Sequence, residues 1–600
     1  MTTGVSPDRR AALARLLRED ADTTDAIPRR SPGASAPLSA AQQRLWFLQC
    51  YEPDSAAYNS VRAFRLTGDL DARALEAAFR RLIARHDVLR TVIAEEDGTP
   101  VQRALPQVDF ALASLDGEAP LRDRLLAFGR RPFDLTRAPP LRVGLAHEPD
   151  GSHALLVVVH HIAADAWSHG RLLGDLAQAY RAALADGEGC PLPAPSLAYA
   201  DFAAWQRARF DGAEGRATLE RWSRYLGESV PVLALPVDHP RTARADRPGG
   251  RVDFTLPDAL CRTITDLCQN RGLTPFVVLL AAWQILLGRL SGQTDFAVGV
   301  PNAARNRPEL HDLVGFFVNT QVYRVRLDPQ VRFLDLCDRL RGEALAFLAD
   351  ADVPFERLIA EADIVRDLQH TPVFQAAFNL RPARDGAALA LDGLTAARLD
   401  FDIGSAKFDL TLDLAVSAAG IDGQIEYDAG LIDAATAARW RDHFVTLLVG
   451  LVAAPERPIQ AVSLLAPQDV AELSRFNATA QSFPPAATVL ERIAAQARAA
   501  PGAIAVVDDR ERLTRSDLDA RAARLARRLA RAGAGPDTLV GLALERSCDL
   551  LVATLAILKA GAAFLPLVPD LPRPRLDEMV RDSGLRLLVT TTALAAAWPG

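Results

Sequence analysis

The chain has 600 residues, 49% of them hydrophobic, with a mean hydropathy of +0.04 and a formal net charge of −7. That length and apolar content imply about three or four compact units with large buried cores and exclude global disorder. The acidic balance excludes a nucleic-acid binder that relies on a basic surface. Six cysteines without a CxxC pair argue against a disulfide framework or a zinc cluster and fit a reducing cytoplasm.

Residues 1–37 stand apart. Pro7–Glu19 carries Leu13, Leu16 and Leu17 at helical spacing, and a linker with Pro28, Pro32, Gly33 and Pro37 follows. The first 35 residues contain no apolar signal core. From Leu38 to Phe210 helix and strand patterns alternate. Asp71–His86 is an amphipathic helix with Leu75, Ala78, Phe79, Leu82 and Ile83 on one face. Ala154–Val159 is wholly apolar, the pattern of a central strand buried on both faces. A helix carrying Leu172, Leu173, Leu176 and Tyr180 comes next.

Two stretches rich in Pro and Gly, Gly187–Pro195 and Leu235–Gly250, bracket the passage to a second block. There the pattern predicts a buried helix over Thr274–Leu290, a strand over Phe296–Val300 and a loop then strand over His311–Arg326. A third block begins near Leu465, with helices over Ser516–Ala532 and Ser547–Ala560 around a strand at Val540–Leu544. Elements are still accumulating at Gly600, so this block is expected to be the start of a longer domain. The most apolar stretches, Phe276–Leu287 and Leu551–Val568, read as core elements. The first is too short to span a bilayer and the second contains Lys559. Lysine occurs only at Lys407 and Lys559, which reads as a coding preference for Arg.

The sharpest chemical feature is His160-His161-Ile-Ala-Ala-Asp165-Ala166-Trp167-Ser168, directly after the apolar strand. An imidazole near its ordinary pKa is the side chain best suited to moving a proton near neutrality. Adjacent residues leave a strand in opposite directions, so only one His can enter a given cleft. A purely structural reading, with two satisfied His and an Asp capping the next helix, accounts for the segment taken alone. GxSxG, GxxxxGK[ST], HExxH and a strand-borne GxGxxG are absent, which leaves no serine elbow, phosphate loop or zinc motif.

An ordered series of segments surrounds the His pair. Leu38-Ser-Ala-Ala-Gln-Gln-Arg44-Leu-Trp46-Phe-Leu48 and Arg85-His86-Asp-Val-Leu-Arg90-Thr91 precede it. Tyr199-Ala-Asp201-Phe-Ala-Ala-Trp205-Gln206, Arg305-Asn-Arg-Pro-Glu309, Gly315-Phe-Phe-Val-Asn319-Thr320-Gln321 and Pro354-Phe355-Glu356 follow. Arg366-Asp-Leu-Gln-His370-Thr-Pro372-Val-Phe-Gln375 closes the set. Each is weak alone. In this order from Leu38 to Gln375 they resemble the condensation domains of nonribosomal peptide synthetases, whose signature is HHxxxDG. Leu513–Leu518 and Leu558–Leu567 resemble the first two motifs of an adenylation domain.

The resemblance implies an α/β fold of two chloramphenicol-acetyltransferase-like lobes in a V-shaped pseudo-dimer, followed by a partial α/β piece of an adenylation domain. The implied divisions are a docking or linker segment at 1–37, lobes at 38–210 and 211–465, and the adenylation start at 466–600, which is expected to be inactive by itself. The implied reaction joins a donor acyl thioester to the amine of an acceptor, both on the 4′-phosphopantetheine of carrier proteins. The acceptor carrier would lie downstream and the donor would arrive on a separate protein, docked with help from Pro7–Glu19. No bound cofactor, metal, nucleic acid or membrane is implied, and the location is cytoplasmic.

His161 is implied to face the tunnel and position or deprotonate the acceptor amine, with His160 packing beside it. Asp165 is implied to pair with Arg305, while Ser168, Asn319, Arg44 and Trp46 support the tunnel. The sequence departs from the family at Ala166 and Ala304, where Gly is usual, and at Asp350-Ala351-Asp352, where only the last residue of His-Gln-Asp is kept. The motif around Asn319 resembles the subtype that takes a D-configured donor. Two rival readings are a stand-alone acyltransferase using coenzyme A or a free amine, and a non-catalytic platform that recruits partners. Ala166 is the residue that favours the platform.

Overall fold

A computed structural model describes residues 26–31, 33–137, 139–186, 192–241, 247–361, 371–382, 389–482 and 488–596. Pro7–Glu19 and the Arg366–His370 half of the last motif lie outside these residues. The chain divides into two compact units, 1–473 and 474–600.

The first unit contains two large sheets, each with its own core, and a small antiparallel one of Ala36–Pro37, Thr99–Ala104 and Thr91–Glu96. One is five-stranded, in the order Leu394–Arg398, Asn59–Gly68, His153–His160, Leu141–His147 and Ala113–Ser114. The His153–His160 strand is its centre, antiparallel to both neighbours, with His160 opposite Asn59. Its apolar run is buried throughout, as expected of a strand covered on both faces. Helices Ala72–Arg85 and Ala166–Asp186 pack against each other in this lobe. The first is capped by Asp71, whose carboxylate accepts from the Arg73 and Ala74 N–H groups at 2.9 Å. Its predicted face of Leu75, Ala78, Phe79, Leu82 and Ile83 is buried.

The second sheet has six strands, in the order Asn319–Arg326, Asp295–Asn302, Ala376–Pro382, Leu410–Val416, Ile421–Asp428 and Gly249–Thr255. Its central helix, Pro275–Ser291, begins with Thr274 as N-cap and Pro275 in the first turn, and stops at Gly292, where φ is +70°. Val277–Gly288 is buried without a break, which explains its uniformly apolar sequence.

Two excursions tie the lobes together. The loop after Arg305 sends Leu310, Leu313, Val314, Phe316 and Phe317 into the first core, and Leu389 and Leu391 join them. The Leu394–Arg398 strand then completes the edge of the first sheet, pairing antiparallel with Phe64–Gly68. Neither excursion follows from the division into lobes at 210/211, because each is a long-range pairing with no local periodic signal.

In the second unit, Leu539–Ala543 lies between parallel strands Ala563–Pro566 and Leu587–Thr590. Helices Arg515–Arg531 and Cys548–Lys559 pack together. Lys559 Nζ on the second lies 2.8 Å from Asp519 on the first, an ion pair that braces the two. No single helix among the described residues is long and apolar enough to cross a membrane.

Candidate active site

At the end of the central strand the two histidines separate. His160 is almost sealed, at 1% exposure. Its N–H donates to Pro140 O at 2.9 Å, and its Nδ1 accepts from the Ile162 N–H at 3.2 Å. The ring meets Phe133 edge-on at 5.9 Å, and the Arg142 guanidinium lies 4.1 Å over that phenyl ring. Burial first, and then the Arg142 charge, push the His160 pKa down to about 3. A ring that is neutral throughout the physiological range packs and orients but takes up no further proton there.

His161 turns the other way and is half-buried. Its N–H donates to Tyr58 O at 2.8 Å. Its Nδ1 lies 2.9 Å from Ala164 O. A carbonyl only accepts, so Nδ1 carries the proton and Nε2 keeps its lone pair. Among the described residues Nε2 has no hydrogen-bond partner. Phe316 from the second lobe's sequence lies 5.2 Å away, ring centre to ring centre. Burial, then the charges of Lys407, His169 and His160, hold the His161 pKa well below its ordinary value. The result is a neutral imidazole with an available acceptor nitrogen.

A buried polar cluster fixes this turn. Asp165 is fully buried, and its carboxylate accepts from the Ser168 N–H at 2.7 Å and the Phe317 N–H at 3.1 Å. Arg305 Nη2 stands 3.3 and 3.4 Å from the two Asp165 oxygens and donates to Ser168 Oγ at 2.8 Å. Arg305 Nη1 donates to Leu310 O and Leu313 O, and the guanidinium lies 4.0 Å over Phe317. Ser168 Oγ donates to Gly315 O at 2.8 Å and accepts from the Gly315 N–H at 3.1 Å. Capping of the next helix and pairing with Arg305 are therefore carried by one carboxylate.

The cluster leaves little room for change. A Cβ on Gly315 would stand 1.9 Å from the Tyr199 ring, and Tyr199 Oη donates to Phe316 O at 2.5 Å. Ala304, next to Arg305, holds φ at +47°, the left-handed region that favours glycine. Its N–H donates to Asn302 Oδ1 at 2.8 Å.

The remaining sequence candidates fall further out. Asn319 is buried and braces the following turn: Nδ2 donates to Ala351 O and Val353 O, and Oδ1 accepts from the Phe355 N–H at 3.1 Å. Its amide is thereby committed to backbone. Arg44 pairs with Glu356 at 3.2 Å, and Trp46 packs on the first core. Ala166 is exposed at the first position of its helix. Asp350 accepts from Arg221 at 2.6 Å and from Trp222 at 3.0 Å, while Asp352 pairs with Arg209 at 3.4 Å.

Sequence reasoning missed Lys407. The side chain is reached by solvent yet crowded by protein, and burial pushes its pKa down against the pull of Glu426. Its charge is the largest electrostatic influence on His161 after burial. Its rarity among 600 residues was the only available signal.

Comparison with known proteins bears on this arrangement. A family model described as a condensation domain matches residues 34–474, and one described as an AMP-binding enzyme matches residues 493–599. The chain is 36% identical over 591 residues to malpinin synthetase of Mortierella alpina, covering 97% of this chain and 8% of that protein. It is 38% identical over 616 residues to phosphinothricin tripeptide synthetase PhsC of Streptomyces viridochromogenes, covering 99% and 56%. The chain thus spans only part of the curated relatives it matches. Among solved structures, the four-domain nonribosomal peptide synthetase holo-AB3403 superposes with a TM-score of 0.82 at 22% identity, over 95% of this chain and 44% of that one. The X-domain from teicoplanin biosynthesis superposes with a TM-score of 0.68 at 28% identity, over 73% and 100%.

Proposed function

The chain belongs to the condensation-domain family of nonribosomal peptide synthetases, with the beginning of an AMP-binding domain behind it, and on that premise we propose how its own residues carry out amide formation. The acceptor amine attacks the donor thioester carbonyl, the C–N bond forms, and the C–S bond breaks. The amine loses one proton and the departing pantetheine sulfur gains one. His161 Nε2 is the group that receives the amine's hydrogen bond and relays that proton. The observation that carries this reading is the commitment of His161 Nδ1 to Ala164 O, which leaves Nε2 as an acceptor.

The low basicity of His161 favours a particular division of labour. A depressed imidazole pKa makes full deprotonation of an amine before attack unfavourable. It suits an acceptor that orients the neutral amine, takes its proton as C–N bonding develops, and gives it up readily to the thiolate. Asp165 and Arg305 act as positioning residues, because their hydrogen bonds go to each other, to Ser168 and to the Phe317 N–H, which fix the turn that carries His161. Arg44, Trp46, Asn319 and Ser168 hold the surrounding turns.

The lobes are assigned to 38–210 and 211–465, the adenylation start to 466–600, and residues 1–37 to linking and docking. Donor and acceptor arrive on phosphopantetheine arms of carriers, the donor on a separate protein and in the D configuration, in the cytoplasm.

The test is intact-mass detection of a condensed dipeptidyl thioester, with donor and acceptor carriers loaded and mixed with this chain or its His161→Ala variant. Product that depends on His161 is expected, with a D-donor outpacing its L counterpart. Equal product from both proteins would overturn the assignment of His161. A second reading, a partner-recruiting platform, is favoured by the likeness to the teicoplanin X-domain, described in complex with OxyB. Absence of product from every loaded pair by a folded chain would turn the assignment to it.

A further inference from the structure

Apart from the surroundings of His161, the first lobe contains a cavity of about 740 Å³. Its wall is built from the C-terminal half of the Ala72–Arg85 helix, the Asp87–Arg90 turn, the start of the Tyr199–Asp211 helix, and Arg29, Arg30, Ser31, Gly33 and Ala34. None of His160, His161, Asp165 or Asn319 lines it. Nothing in the amide-forming reading uses it.

The lining is strongly basic in a chain that is acidic overall. Arg29, Arg30, Arg80, Arg81, Arg85 and Arg90 contribute to it, against two carboxylates, Asp87 and Asp201. Asp201 is engaged by backbone: it accepts from the Arg30 N–H and the Ala198 N–H, each at 2.9 Å. Asp87 pairs with Arg90. Asp175, behind the wall, accepts from Arg85 at 3.1 Å and lies 2.8 Å from His86. Arg80 pairs with Glu76 at 2.6 Å. These acids fix the orientation of Arg80, Arg85 and Arg90. Arg29 is exposed and forms no ion pair among the described residues.

We infer that this cavity binds a small phosphate ester, its phosphate among the guanidinium groups and its organic part along Leu192, Leu197, Leu313 and Val314. A guanidinium presents a planar fork of donors that matches phosphate oxygens, and it stays charged at every working pH. The volume lies within the range of small-molecule sites, roughly 300–1,000 Å³. The apolar stretch on one side distinguishes the cavity from a bare anion patch. Two sources share this chemistry, a free nucleotide and a phosphopantetheine arm.

The experiment is calorimetric titration of the full chain with AMP and with 4′-phosphopantetheine, using adenosine and pantetheine as phosphate-free controls. Saturable binding of at least one phosphate ester is expected, absent in its control and weaker at higher salt. The double variant R29A/R80A, altered at two side chains that reach the surface, should weaken it by about tenfold or more. His161→Ala should leave it unchanged, which separates this site from the reaction centre. Binding of AMP alone assigns a free nucleotide, and binding of phosphopantetheine alone assigns the arm. No saturable binding of either ester, or binding that R29A/R80A leaves intact, would overturn the inference.

Discussion

The side of the turn that takes His160 is closed by Phe133, Tyr58 and the Arg142 guanidinium, whereas the side that takes His161 ties one ring nitrogen to Ala164 O and leaves the other accessible. Both rings are pushed toward the neutral form, mainly by burial. Their difference lies in the hydrogen bonds. His160 uses Nδ1 as an acceptor for its own turn and buries Nε2 without a partner. His161 uses Nδ1 as a donor and keeps Nε2 for a substrate. Two identical side chains, one residue apart, acquire separate tasks from the partners the fold supplies.

The contrast is broken most strongly by His161→Ala. Removing a positioned proton acceptor is expected to slow amide formation by about 10²–10⁴-fold. Circular dichroism and the urea midpoint should stay close to the parent, since a half-buried ring is lost from a turn held by other bonds. A variant with full activity would erase the distinction between the two rings.

The next largest effect is expected in stability. Arg305→Ala leaves the fully buried Asp165 carboxylate without its cation, at a cost of about 3–5 kcal/mol. Urea unfolding followed by tryptophan fluorescence measures it. A loss below about 1 kcal/mol would mean that the N–H groups of Ser168 and Phe317 suffice to hold the charge.

Acid sharpens the comparison on the His160 side. Its pKa is about 3 in the fold and about 6.5 when unfolded. Between those values the unfolded chain binds more protons, so stability is lost as pH falls below about 6.5 and is unaffected above it. Comparing urea midpoints of the parent and His160→Phe isolates this contribution. The parent should lose about 2 kcal/mol more than the variant between pH 7 and pH 5. Parallel curves would show that His160 is not sealed.

The smallest expected effect concerns the residue that precedes Arg305. Ala304→Gly relieves a left-handed alanine, and stability should rise by up to about 1 kcal/mol after the added flexibility of the unfolded chain is discounted. A decrease would show that the Ala304 methyl, which is buried, contributes more by packing than it costs in the backbone.

Much of the fold around the site was legible because its signals are local. The apolar run before His160 reads as a central strand, since only a strand covered on both faces tolerates six consecutive apolar residues there. Asp71, Thr274 and Pro275 mark helix starts by chemistry that acts within one turn. The departure at Ala304 was visible as a residue type, but its backbone angle was not, because φ depends on where Arg305 is anchored. The return of Leu394–Arg398 to the first sheet was also invisible, since its partner Asn59–Gly68 lies more than three hundred residues earlier.

The sequence by itself determined which residues have the chemistry for this site: a His pair at a strand end, an Asp within helix-capping reach, an Arg in a distant motif, and the ordered series that marks the family. Tertiary structure decided what each of them does. It sealed His160, set the tautomer of His161 through Ala164 O, satisfied Asp165 from two directions, and committed Asn319 to backbone. It also brought Lys407 close enough to bias His161, and gathered six arginines from three separate segments around one cavity. The reason is physical: residue type sets the donors, acceptors and charges that are available, while hydrogen-bond partners and burial are properties of the neighbours. Those neighbours are supplied by segments that meet only when the chain is folded.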